Sequence, residues 1–219
     1  MDPSPLFNGI IFYISLLFVI SVHEWAHAWT ANLCGDPTAR YLGRMTWNPI
    51  AHMDLFGTVI IPLFFIFAPL FGFGTSFAII GWGKPVPVNP RNYNNYVRDD
   101  VLVSLAGPLS NLVITIVALF VIKFLTFIPG DLSSLIIKSI LLPMAMLSFF
   151  LAFFNLIPVP PLDGSHILRP LVGYNGRKIL DTISSYGFII LIVFINTPLF
   201  DILANSIVNL FYLIVNIIL

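Results

Sequence analysis

The sequence predicts an all-α, polytopic membrane protein, and three observations predict it. Of its 219 residues, 58% are hydrophobic and 9% charged, whereas soluble domains carry about 25% charged residues. The apolar residues gather in runs at roughly 6–31, 55–80, 99–128, 134–157, 179–197 and 199–219, most of them near the ~20 residues that cross a bilayer. The polar connections between the runs hold Arg40, Arg44, Lys84, Arg91, Arg98, Arg169, Arg177 and Lys178, which leaves Lys123 and Lys138 beside the short link at Gly130.

The expected architecture is a single domain over 1–219 with about five spanning helices. The first run reads as a plain span. The second differs in character, because Pro62, Pro69, Gly72, Gly74 and Gly81 divide it. Proline removes a helix hydrogen bond and glycine loosens the backbone. Broken backbone at membrane depth survives only where protein or a cavity satisfies it. Segment 55–98 is therefore expected to hold a re-entrant element over 55–80 and then a loop, with short β elements. The third and fourth runs complete a core over about 6–167, and 179–219 reads as a C-terminal helical hairpin.

Composition also excludes classes. The formal net charge is zero, so no nucleic acid partner is implied. Cys34 is the single cysteine, which excludes an intrachain disulfide framework. The opening "MDPSPLFNGI" lacks a basic n-region, so no cleaved signal peptide is expected.

The chemistry begins at "SVHEWAHAWT". His23 and His27 are four residues apart, so on a helix they share one face about 6 Å apart along the axis. Two imidazoles so placed reach one metal ion. Glu24, beside the first of them, can take a proton from a water held there without being a ligand itself. This is the H-E-x-x-H zinc pattern. The bland alternative is a chance match at the wet end of a helix. Membrane depth weighs against it, because ionisable groups there are costly and usually mark function.

A catalytic zinc commonly has three protein ligands and a water. The candidates for the third are His52, Asp54, Asp163 and His166. Asp163 stands out through "NLIPVPPLDGSHIL", where Pro158, Pro160 and Pro161 end a helix rigidly and Gly164 lets the backbone turn after the carboxylate. An ordinary helix-capping Asp is the competing account. His52 could line the site, or bond to its own loop. Asn155 could donate to a developing oxyanion, and Asn111 has the same reading. Helix–helix hydrogen bonding explains either asparagine equally well. Trp25, Trp29, Trp47 and Trp82 read as anchors at the headgroups.

"HEWAH" on an apolar helix, "AGPLSN" opening a later helix and "NLIPVPPLDG" ending the next resemble the site-2 protease family of intramembrane zinc metalloproteases. "NPIAHMDLFGT" and "GWGKPVPVNPRNY" resemble its small prokaryotic branch. The resemblance implies one zinc ion per chain, held by His23, His27 and Asp163, with Glu24 as general base. It links Asn155 and Asn111 to substrate handling. It further implies a prokaryotic plasma membrane location, and a substrate that is itself a transmembrane protein, cleaved in or near its membrane segment.

Topology gives an independent expectation. The histidine pair lies near the end of the first run, and Asp163 lies just past the end of the fourth. They can share a metal only if the second run bends back. The same fold-back gathers the eight Lys and Arg residues of the connections on one side, which directs the active site toward the cytosol. A non-hydrolytic metal-binding or transport protein is the rival from another class, and the well-placed Glu24 weighs against it. A prenyl-protein-type membrane protease would need a second glutamate, and this chain has none. The "GWGKPVPV" stretch is expected to offer an edge to an unwound substrate.

Overall fold

Apolar runs with no internal hydrogen-bonding solvent must form helices, and four of them do so at spanning length: Leu6–Leu33, Tyr96–Leu125, Asp131–Asn155 and Pro198–Ile218. The structure is a computed structural model that describes residues 5–68, 81–128 and 130–219. Helix α1 covers Pro5–Leu33, and the short helices α2 (Thr38–Tyr41) and α3 (Pro49–His52) follow. A π-helical turn over Leu55–Ile60 leads into α4 (Ile61–Phe67). The rest of the second apolar run, 69–80, lies outside the described residues, and so does most of the expected fold-back.

Helix α5 (Tyr96–Leu125) is the central element and packs against both α1 and α7 (Leu142–Asn155). Helix α6 (Asp131–Ile136) enters α7 through a π-helical segment, Ile137–Leu141. Ala118, Leu119 and Ile122 of α5 meet Ala145 and Phe149 of α7 and Phe211, and these six side chains form the buried core. Phe211 comes from α11 (Pro198–Ile218), and its ring lies 5.5 Å from that of Phe149.

The end of α1 and the start of α5 lie together. The Asn94 N–H donates to Cys34 O at 2.9 Å. Buried Asp36 accepts from the Asn89 N–H at 2.6 Å, from Asn92 Nδ2 at 2.8 Å, and from Thr38 through both its N–H and its hydroxyl. Segment 35–95 thus leaves and returns at one end of the helix pair. At the opposite end of α5, Lys123 Nζ donates to Leu219 O at 3.1 Å.

The 179–197 run is not one straight helix. Helix α9 (Tyr174–Ser184) and helix α10 (Gly187–Ile195) meet at 76°. Asp181, Thr182, Ser184 and Ser185 make the first half amphipathic, whereas α10 is apolar throughout. With α9 and α10 counted as one bent span, the described residues hold up to five helices able to cross a membrane.

The expected β elements are not found: no strand occurs among the described residues. The reason lies in the partners of the 81–88 stretch. Its alternate amides at Trp82, Lys84 and Val86 donate to Gly57 O, His52 O and the Glu24 carboxylate. Among the described residues no second strand lies there to form a ladder, and Pro85 and Pro87 have no N–H to offer one.

Candidate metal centre

His23 and His27 lie on the face of α1 that α5 covers, and both are buried. Asp163 begins helix α8 (Asp163–Leu168), which follows the proline-rich exit from α7. His23 Nε2 lies 3.0 Å from His27 Nε2 and 3.1 Å from Asp163 Oδ2, and His27 Nε2 lies 3.4 Å from Asp163 Oδ1. Metal–ligand bonds of about 2.0–2.1 Å at tetrahedral angles set donor atoms about 3.3 Å apart. Each imidazole nitrogen therefore lies from the other, and from one oxygen of the Asp163 carboxylate, at about the distance between two ligands of one zinc ion. Among the described residues they form a group able to hold a metal ion.

The surroundings prepare these donors. His27 Nδ1 lies 2.7 Å from Val103 O of α5. A donating Nδ1–H leaves the Nε2 lone pair facing the other two ligands. Gly107 makes the assembly possible. A Cβ there would overlap Nε2 of both histidines, so only glycine lets α5 lie against the ligand face. These observations fit zinc: two imidazoles, one carboxylate, and a cradle at Gly107 that a methyl group would fill.

Glu24 is half-buried, and its Oε2 accepts a 2.7 Å hydrogen bond from the Val86 N–H. The other carboxylate oxygen is thereby given a defined direction.

The remaining candidates lie elsewhere. Asp54 caps the π-helical turn, accepting from the Phe56 N–H at 3.0 Å and the Gly57 N–H at 2.8 Å. His52 is buried, with Nε2 2.8 Å from Thr46 O, and its own carbonyl accepts from Lys84. His166 is exposed. The Asn155 amide donates to Leu151 O of its own helix at 3.0 Å. Asn111 lies one turn beyond Gly107, fully buried, and neither of its side-chain polar atoms has a partner among the described residues. Gly164 also acts differently from the sequence reading. It is helical, and a Cβ there would overlap Leu156 O and Ile157 O. It lets α8 pack against the last carbonyls of α7 and does not make a turn.

Main-chain groups were invisible to side-chain reasoning. The Val103 carbonyl and the Val86 amide carry no sequence signal beyond the flanking prolines of Val86, which deny that stretch any neighbouring donor.

Comparison with known proteins decides the family. The profile described as Peptidase family M50 matches residues 11–129 and 122–195. The chain belongs to peptidase family M50. Among its relatives, YwhC of Bacillus subtilis (strain 168), named as a zinc metalloprotease, is 35% identical over 189 residues, covering 85% of this chain and 80% of that protein. Rip2 of Mycolicibacterium smegmatis, also so named, is 28% identical over 183 residues, covering 83% of this chain and 65% of that protein. MJ0611 of Methanocaldococcus jannaschii, with the same description, is 34% identical over 99 residues, covering 37% of this chain and 47% of that protein. No solved structure matches. M50 membership makes the chain a peptidase, and its apolar helices make it a multi-pass membrane protein.

Proposed function

We propose that this M50 protein is a zinc-dependent intramembrane endopeptidase, with His23, His27 and Asp163 as zinc ligands and Glu24 as general base. The observation that carries the reading is the convergence of two imidazole nitrogens, 3.0 Å apart, on the Asp163 carboxylate at 3.1 and 3.4 Å, with Glu24 between the two histidines in sequence. Bound zinc would supply Lewis acidity toward the scissile carbonyl and make water acidic enough to attack at neutral pH. The chain's own groups do the rest. His27 is oriented by Val103, and Glu24 is oriented by Val86. The outer Glu24 oxygen accepts the proton of the attacking water and returns it to the leaving amine. Asn155 would reach a developing oxyanion by releasing Leu151 O. Asn111 and His52 serve the site from outside the ligand cluster.

The substrate is a segment of another membrane protein's helix, unwound so that its carbonyls are free. The 81–88 stretch suits its reception. The amides of Trp82, Lys84 and Val86 face inward, so the alternation of an extended chain turns the Gly83 N–H outward. Pairing there would use Gly83 and neighbouring carbonyls, not the Trp82 and Lys84 amides. A cytosolic active site is supported by the common end of α1 and α5, where the basic connections gather, while Lys123 lies at the far end of α5 beside Leu219.

The test is cleavage of a transmembrane peptide by purified protein with and without a chelator, alongside Glu24→Gln. The variant should retain zinc and lose about 10²–10⁴-fold in turnover. Full turnover by zinc-loaded Glu24→Gln would remove the general base from this residue.

A further inference from the structure

Beside the start of α5, helix α9, the turn at Ser185–Tyr186 and Arg169 at the end of α8 line an open cavity of about 720 Å³. It takes no part in the chemistry described above. Its wall holds three cations, Arg169, Arg177 and Lys178, against one carboxylate, Asp181. Arg169 is paired with that carboxylate, Nε to Oδ1 at 2.9 Å and Nη2 to Oδ2 at 3.2 Å. Arg177 and Lys178 have no carboxylate within ion-pair distance among the described residues. Arg177 is nonetheless held in place. It donates to Val172 O at 3.2 Å and Pro170 O at 3.3 Å, and its guanidinium carbon lies 5.7 Å from the Tyr96 ring centroid. A guanidinium fixed by two carbonyls and an aromatic face loses little freedom on meeting an anion.

The setting decides which anion. Helix α9 has Arg177, Lys178, Asp181 and Thr182 on one side and Ile179, Leu180 and Ile183 on the other, and it turns by 76° into the apolar helix α10. A basic amphipathic helix set crosswise to a short apolar one suits the headgroup layer. Tyr96 begins a spanning helix on the same wall. A cationic basin at that depth, beside the start of a spanning helix, faces lipid phosphates at high local concentration.

We propose that this cavity binds the headgroup of an anionic glycerophospholipid, with Arg177 and Lys178 on the phosphate and Thr182 and Ser185 toward the headgroup hydroxyls. Asp181 opposes binding, by its charge and by holding Arg169. The proposal rests on membrane embedding and not on proteolysis, so its test is independent of activity.

The purified chain in detergent is titrated with dioleoylphosphatidylglycerol, and bound lipid per chain is read by native mass spectrometry. Dioleoylphosphatidylcholine and inorganic phosphate are the comparison probes. One phosphatidylglycerol should bind in preference to phosphatidylcholine, and inorganic phosphate at equal concentration should not displace it. Each cation near a membrane surface contributes about fivefold. Arg177→Gln with Lys178→Gln should therefore weaken binding by roughly thirtyfold, while Arg91→Gln, basic but outside the cavity, leaves it unchanged. Asp181→Asn should tighten binding severalfold. That variant keeps the test decisive if the double variant fails to fold. The proposal is overturned by equal binding of the two lipids, by displacement with inorganic phosphate, by an equal loss in Arg91→Gln, or by an unchanged affinity in Asp181→Asn.

Discussion

The Val86 N–H donates a 2.7 Å hydrogen bond to Glu24 Oε2. This bond joins the loop expected to meet substrate to the side chain expected to move the proton. A hydrogen bond to a charged group contributes about 1.5–3 kcal/mol, enough to hold the carboxylate in one orientation. Val86 stands between Pro85 and Pro87, so its backbone is already biased to an extended form that proline tolerates. Val86→Pro removes this donor and also trims the packing of Val86 against Ala28 and Ala39, so Val86→Ala, which keeps the N–H, is the control. Turnover of Val86→Pro should fall about ten- to hundredfold, as for a misplaced catalytic group, with KM and zinc content near those of the unaltered protein. A raised KM at constant turnover would assign the bond to substrate binding. If the unaltered protein cleaves no membrane peptide, the proposed function fails before this prediction is reached.

Gly107 offers a test of the metal centre that changes no ligand. Gly107→Ala puts a methyl group onto Nε2 of both histidines. Either α5 retreats or the imidazoles turn away. Zinc affinity should drop by at least about tenfold, the usual penalty for disturbing what orients a ligand. Helix content by circular dichroism should be retained. Full zinc occupancy in this variant would mean that the two helices lie further apart than described.

Ligand assignment is checked by elemental analysis. His23→Ala and Asp163→Ala should lose most of the zinc, whereas His52→Ala should keep it, because His52 bonds to Thr46 O and not to the cluster. The reverse pattern would reassign the third ligand.

The path of segment 35–95 is checked by labelling. In a Cys34→Ser background, single cysteines beside Arg40 and beside Arg91 should both react from the cytosolic face. Reaction of the second site from outside only would mean that the second apolar run crosses the membrane, contrary to the contact between Cys34 and Asn94.

Asp36 gives a pH prediction. Burial alone would raise its carboxyl, but the donors from Asn89, Thr38 and Asn92 outweigh this and hold it below its ordinary value of 3.8. A carboxylate depressed in the folded state stabilises above its unfolded value and loses that contribution as pH falls through the folded value. The join between 36–38 and 89–92 should therefore be intact at neutral pH and weaken below about pH 4. Asp36→Ala should lower stability by about 2–3 kcal/mol at neutral pH, and most of that difference should vanish in acid. A difference independent of pH would assign the cost to packing.

Local sequence was enough for some of this molecule. The spacing of His23 and His27 puts them on one face because helix periodicity is a property of neighbouring residues, and long apolar runs form helices because lipid offers the backbone no other partner. The bend at Tyr186–Gly187 was written there too, as a change from amphipathic to wholly apolar, although the run was read as continuous. The third ligand was different in kind. Residue type and spacing offered His52, Asp54, Asp163 and His166, and it was the setting of Asp163 and the family resemblance that singled it out; only the fold brings it to 3.1 Å from His23 across 140 residues of chain while sending Asp54 to a helix cap and His52 to Thr46. The β elements failed for the same reason. Extended residues become a strand only if a second strand arrives, and among the described residues a π-helical turn, the last carbonyl of α3 and Glu24 took the amides instead. Contacts made by Val86, Val103 and Gly107 use backbone atoms or the absence of a side chain. Residue type is silent about such atoms until the helices have packed.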